Sequence, residues 1–114
     1  MNAPTNEIVG RKITRLIFNL RDLTERTPIH TLAVLGHIAM AGEDGISMRD
    51  LAKVSDTPQS TLSRTILFLL DEYKGEPGPG LVEQYLDPSD YRAKFVRLTP
   101  KGFKIMDELK ETLA

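Results

Sequence analysis

The residues best suited to chemistry cluster in one stretch, Gln59, Ser60, Thr61, Ser63 and Arg64. Short hydroxyl and amide side chains allow close approach to polar-edged partners. Arginine offers paired donors that match the acceptor edge of guanine. No acid interrupts residues 57–70, where Arg64 is the only charge. A second cluster lies in residues 91–106, which hold Arg92, Lys94, Arg97, Lys101 and Lys104 with no acid among them. Cations gathered on one face attract phosphate whatever the total charge, which here is −1. Taken alone, the first cluster is equally well a polar helix start. For the second, taken alone, a solvated charge run is the weaker alternative.

Other chemistry is thinly represented. His30 and His37 lie seven residues apart on one apolar stretch. Two histidines with no third ligand make a weak metal signal, so hydrogen-bonded structural or interface histidines are expected. Their titration range still allows some pH sensitivity. The chain has no cysteine, which removes disulfides, thiol nucleophiles and thiolate metal sites. It contains no Gly-rich phosphate loop, nucleophile motif or metal cluster. No catalytic residue, metal or cofactor is therefore expected. The first residues lack a basic region followed by an apolar run, so no secretory signal is read. No apolar run approaches the roughly 20 residues that span a bilayer. A cytoplasmic protein with no membrane partner is expected. The 114 residues suggest one domain over 1–114, with enough chain for one real core.

Elements that could position the two clusters follow from caps and periodicity. Residues 6–26 carry Val9, Ile13, Leu16, Ile17, Leu20 and Leu23 three or four apart, one stripe of an amphipathic helix, with Phe18 off the stripe. Thr27 and Pro28 read as cap and first position of a buried helix that stops at Gly42. Ile46 is placed in a one- or two-residue strand. Ser47 and Asp50 resemble a capping box for a helix over 48–54. Thr57 is expected to cap, and Pro58 to open, a longer helix with Leu62, Ile66, Leu69, Leu70 and Tyr73 on its core face. Residues 74–80 are too rich in Gly and Pro to read as helix or strand. Leu81 to Leu86 and Lys94 to Leu98 read as an antiparallel pair around a polar tip, 87–92. Thr99 and Pro100 repeat the cap-plus-proline start, before Phe103, Met106, Leu109 and Leu113 at helical spacing. The fold class expected is mainly α with a small β-wing. About five helices and a two- to three-stranded antiparallel sheet form a winged helix-turn-helix.

With those elements in place, the chain resembles the MarR family of winged-helix regulators. Residues 87–102 look like that family's wing, an Asp-x-Arg tip (Asp90, Arg92), a strand, then Leu-Thr-x-x-Gly (Leu98, Thr99, Gly102). Residues 59–64 are similar to the start of its recognition helix. The resemblance covers about residues 29–103. It implies that Arg92 reaches into the minor groove, where arginine reads groove width, and that Asp90 holds it there. It implies that Gln59, Ser60, Thr61, Ser63 and Arg64 face the major groove. Lys94 joins these as a DNA contact. It also implies a homodimer on pseudo-palindromic DNA, with a small-molecule effector as a further partner. The dimer helices would be 6–26 and 100–113, and the DNA-binding unit 29–99. Three departures stand out. One helix follows the wing where the family usually has more. The 75–80 loop is longer than usual. Leu67 and Phe68 stand where polar residues are normal.

The function expected is a sequence-specific double-stranded DNA-binding transcription regulator, most simply a repressor. The competing expectation is a winged-helix protein–protein interaction module with weak or no specific DNA binding, motivated by the net charge, Phe68 and the long loop.

Overall fold

Two of the helices start as their cap residues predict. In a computed structural model, which describes residues 5–20, 28–73 and 75–113, the Ser47 hydroxyl accepts the Asp50 N–H at 3.0 Å. The Thr99 hydroxyl accepts the Gly102 N–H at 3.1 Å and donates to the Gly80 carbonyl at 2.6 Å. The bonds from the Asp50 and Gly102 N–H groups each satisfy a donor that a helix start would leave unpaired. In chain order the elements are α1 (Asn6–Asn19), α2 (His30–Met40), β1 (Ile46–Ser47), α3 (Met48–Val54) and α4 (Gln59–Leu67). There follow β2 (Glu72–Tyr73), β3 (Glu76–Pro77), β4 (Val82–Asp87), β5 (Asp90–Leu98) and α5 (Pro100–Leu113). The three-stranded sheet has the order β1-β5-β4, antiparallel throughout. This is a winged helix, mainly α with a small β-wing, as the sequence predicts.

The core forms where α2, α3, α4 and the sheet meet. Val34, Ile38, Leu51, Leu62, Ile66, Leu69 and Val96 are fully buried there. Gly45 lets the sheet close. At φ +76 its backbone lies so near β5 that an added Cβ would sit 2.4 Å from the Val96 carbonyl oxygen. Only glycine fits, because both the conformation and the space exclude a side chain. β1 can then pair with β5, Ile46 opposite Val96. At the other end α5 packs on α1, tied by an Asn19–Thr112 hydrogen bond of 3.1 Å. No helix among the described residues is long and apolar enough to cross a membrane.

Several boundaries differ from expectation, each for a local reason. The first helix was expected over 6–26, but α1 ends at Asn19, and the expected positions from 21 onward, Thr27 included, lie outside the described residues. Its stripe is also largely uncovered. Leu20 is buried and Leu16 half-buried, whereas Val9, Ile13 and Ile17 are exposed, as are Ile8 and Phe18 off the stripe. α2 begins at His30, two residues after Pro28, and its cap position, Ile29, makes no side-chain cap bond. Thr57 does not cap α4. Its hydroxyl is engaged elsewhere, donating to the Ser55 carbonyl at 3.1 Å and meeting His30 Nε2 at 2.9 Å. Pro58 takes the cap position instead.

The turn between α3 and α4 is a Schellman closure. The Asp56 N–H donates to the Lys53 carbonyl and the Thr57 N–H to the Ala52 carbonyl, at 3.2 and 3.0 Å, with Asp56 at φ 51. α4 stops at Leu67 rather than running to Tyr73. Beyond it the returning chain takes the carbonyls. Leu81 donates to Leu69 and Gly80 to Leu70. The Gly-Pro segment is not structureless, because Glu72–Tyr73 and Glu76–Pro77 pair as a two-residue ladder. The second strand of the wing is longer than expected, β5 starting at Asp90 rather than Lys94, while β4 keeps its length one residue along, and only Pro88 and Ser89 separate Asp87 from Asp90.

Candidate nucleic-acid interface

α4 leans its polar face toward the wing, and α3 closes the third side. Between them lies a cleft of about 920 Å³. Gln59, Ser63, Arg64 and Leu67 enter it from α4, a spacing of four, one and three that keeps them on one helix face. Asp87, Asp90, Arg92 and Lys94 enter from the wing. The structure thus brings together six of the eight residues singled out from sequence. Ser60 and Thr61 are exposed on the first turn of α4 but do not line the cleft.

Sequence reading missed Arg49 and Lys53, which enter from α3 beside Asp50. Their four-residue spacing on the polar side of that helix was the available signal. It carried little weight until the fold set α3 beside the wing. Among the described residues, Arg49, Lys53, Arg64 and Lys94 form no ion pair. Arg97, from the same basic run as Arg92, is committed elsewhere. Its Nε bonds Glu83 Oε1 at 2.7 Å and its guanidinium lies 4.5 Å over the Tyr85 ring. The Glu83 bond raises its pKa above the ordinary value.

The wing tip is built by its two aspartates. Asp87 Oδ1 accepts the Ser89 N–H at 2.9 Å and the Ser89 hydroxyl at 2.7 Å, an Asx turn that closes the hairpin. The Ser89 backbone bond, then the hydroxyl bond, holds the Asp87 carboxyl below its ordinary pKa. The turn is therefore intact at neutral pH and weakens only as pH falls through that lowered value. Asp90 Oδ1 accepts the Arg92 N–H at 3.0 Å and lies 3.4 Å from Arg92 Nε. Pairing shifts register between Leu86 and Asp87, leaving Tyr91, Arg92 and Ala93 with no opposite residue on β4. Such a bulge turns a side chain out of the ladder, and the Arg92 side chain is 94% exposed.

His30 and His37 do not converge with acids on a metal site. Among the described residues no group of three His, Cys, Asp or Glu could hold a metal ion. His30 instead bonds Thr57, joining α2 to the helix-turn-helix.

Comparison with known proteins agrees with this geometry. Residues 27–102 match the family of winged helix DNA-binding domains. The chain is similar to the S. aureus MepR–DNA complex, with TM-score 0.70, 19% identity, and coverage of 94% of this chain and 80% of that one. It is also similar to a MarR-family transcriptional regulator from Silicibacter pomeroyi, with TM-score 0.58 and 27% identity, covering 95% of this chain and 65% of that one. A third likeness is the PcaV regulator of Streptomyces coelicolor, at TM-score 0.60 and 21% identity, with 97% and 76% covered. No curated protein matches the chain. The chain belongs to the winged helix DNA-binding domain family, and its fold is the one found in MarR-type regulators.

Proposed function

We propose that this protein is a cytoplasmic, homodimeric transcription regulator that reads a pseudo-palindromic duplex site and represses by occupying it. The carrying observation is the cleft. A chain of net charge −1 gathers Arg49, Lys53, Arg64, Arg92 and Lys94 on one concave face. Gln59, Ser63 and Arg64 enter the major groove there, with Ser60 and Thr61 at the helix start beside them. Arg92, steadied by Asp90, enters the minor groove. Lys94, Arg49 and Lys53 neutralise phosphates, which position the protein without reading sequence. The solved MepR relative is itself a DNA complex, which supports this docking.

Dimerisation is supported by α1. Ile8, Val9, Ile13, Ile17 and Phe18 are exposed on a helix that buries none of its residues, and contiguous exposed apolar surface marks a contact site. A groove of about 610 Å³ beside it, lined by Ile8, Arg11, Arg15 and Thr112, has the size of a small-ligand site. It is where an effector would bind.

Selection from a randomised duplex library tests the reading. Two inverted half-sites about one helical turn apart are expected, with the protein dimeric by light scattering at micromolar concentration. A second reading, a protein-docking module without specific DNA binding, is favoured by exposed Phe68 and Val54. It predicts that no sequence is enriched.

A further inference from the structure

The outer face of the wing sheet carries a side-chain lattice that reaches beyond the wing itself. Tyr85 on β4 stacks on Phe95 of β5, with ring centroids 5.5 Å apart and planes 30° apart. Arg97 lies over the Tyr85 ring and bonds Glu83, two residues back on β4. The Tyr85 hydroxyl then donates to the carbonyl of Asp44. Asp44 belongs to the turn before β1, on the far side of β5 from β4. Tyr85 therefore crosses the middle strand and laces both edges of the sheet together.

That turn is a firm support. Gly45 presses it against β5 so closely that no side chain fits. Beyond Tyr85 the hydrogen bonds of the hairpin run within the hairpin itself, in its ladder and in the aspartate contacts at its tip. Leu86 is exposed and the pairing loses register one residue later. Arg92 lies three residues past Phe95, roughly 10 Å of extended chain. A small rotation at the base is enlarged at the tip over that length.

We propose that Tyr85 is a positioning residue for DNA binding. Its hydroxyl, bonded to the Asp44 carbonyl, sets the angle of the wing and hence the place of Arg92. Tyr85 does not touch the DNA. The tether lies outside the cleft and acts through the wing. This deepens the DNA-binding reading and rests on it for its functional consequence.

Tyr85→Phe removes the hydroxyl and keeps the ring, its stack and its contact with Arg97. In the free protein, amide exchange should quicken at residues 85–95 and stay unchanged in α2 and α4. Anisotropy with a pool of random duplexes should show affinity lower by about fivefold, the scale of one lost hydrogen bond. In an Arg92→Ala background the same substitution should cost less than twofold, because the arginine it places is gone. Unchanged wing exchange, or equal losses in both backgrounds, overturns the proposal. Absence of DNA binding by the unsubstituted protein would instead sink the functional reading, and the exchange experiment alone would then decide the tether.

Discussion

Arg64→Ala weakens binding to the preferred operator by about tenfold or more, the scale of one paired arginine–guanine contact, and leaves random duplex binding within a few-fold. Arg64 sits on the second turn of α4, inside the cleft, with no ion pair among the described residues. Its donors are therefore available to a base edge. The neighbouring Leu67 is half-buried and supplies no competing acceptor. Folding does not depend on the guanidinium, since Arg64 is exposed and the core face of α4 is Leu62, Thr65 and Ile66. Anisotropy on selected and random duplexes measures both affinities. Equal losses on the two would remove the base-reading role and leave a phosphate contact.

Gly102→Ala lowers stability by up to about 2 kcal/mol, although alanine is the better helix former. The intrinsic gain is about 1 kcal/mol. Against it, a Cβ at this position would lie 2.2 Å from the Leu81 carbonyl oxygen and 3.1 Å from Leu98 Cδ2. The carbonyl cannot swing away, because it accepts the Thr99 N–H that precedes α5. α5 must shift instead, and overpacking of this kind costs about 1–3 kcal/mol or more. The opposite sign is expected for Gly36→Ala in the middle of α2, where an added Cβ meets nothing within 4 Å. Thermal melts of the two variants make the comparison. A Gly102→Ala variant as stable as the parent would show that the close approach is not what requires glycine.

How much of this was legible in sequence depended on whether the signal was local. Ser47 and Thr99 cap helices through bonds to residues three positions on, so local reading found them. The two-residue strand at Ile46 and the paired wing strands were likewise readable. The end of α4 was not. Leu69 and Leu70 continue the helical spacing, yet their carbonyls are taken by Leu81 and Gly80, ten or more residues later. Thr57 looked like a cap until His30, 27 residues earlier, claimed its hydroxyl. The site divides the same way. Gln59, Ser63 and Arg64 lie within one short stretch, and Arg92 sits in a motif. Arg49 and Lys53 become part of the face only because α3 packs beside the wing. Arg97 looked available within a basic run until its cross-strand neighbour Glu83 paired with it.

The central claim is that the cleft between α4 and the wing binds duplex DNA. The most direct measurement is anisotropy of random duplex DNA against the protein and its Arg92→Ala variant across a range of salt. The account predicts binding that weakens steeply as salt rises. It also predicts a roughly uniform loss of affinity for the variant across sequences, with a salt slope shallower by about one. No binding at low salt, or binding indifferent to both salt and Arg92, would contradict it.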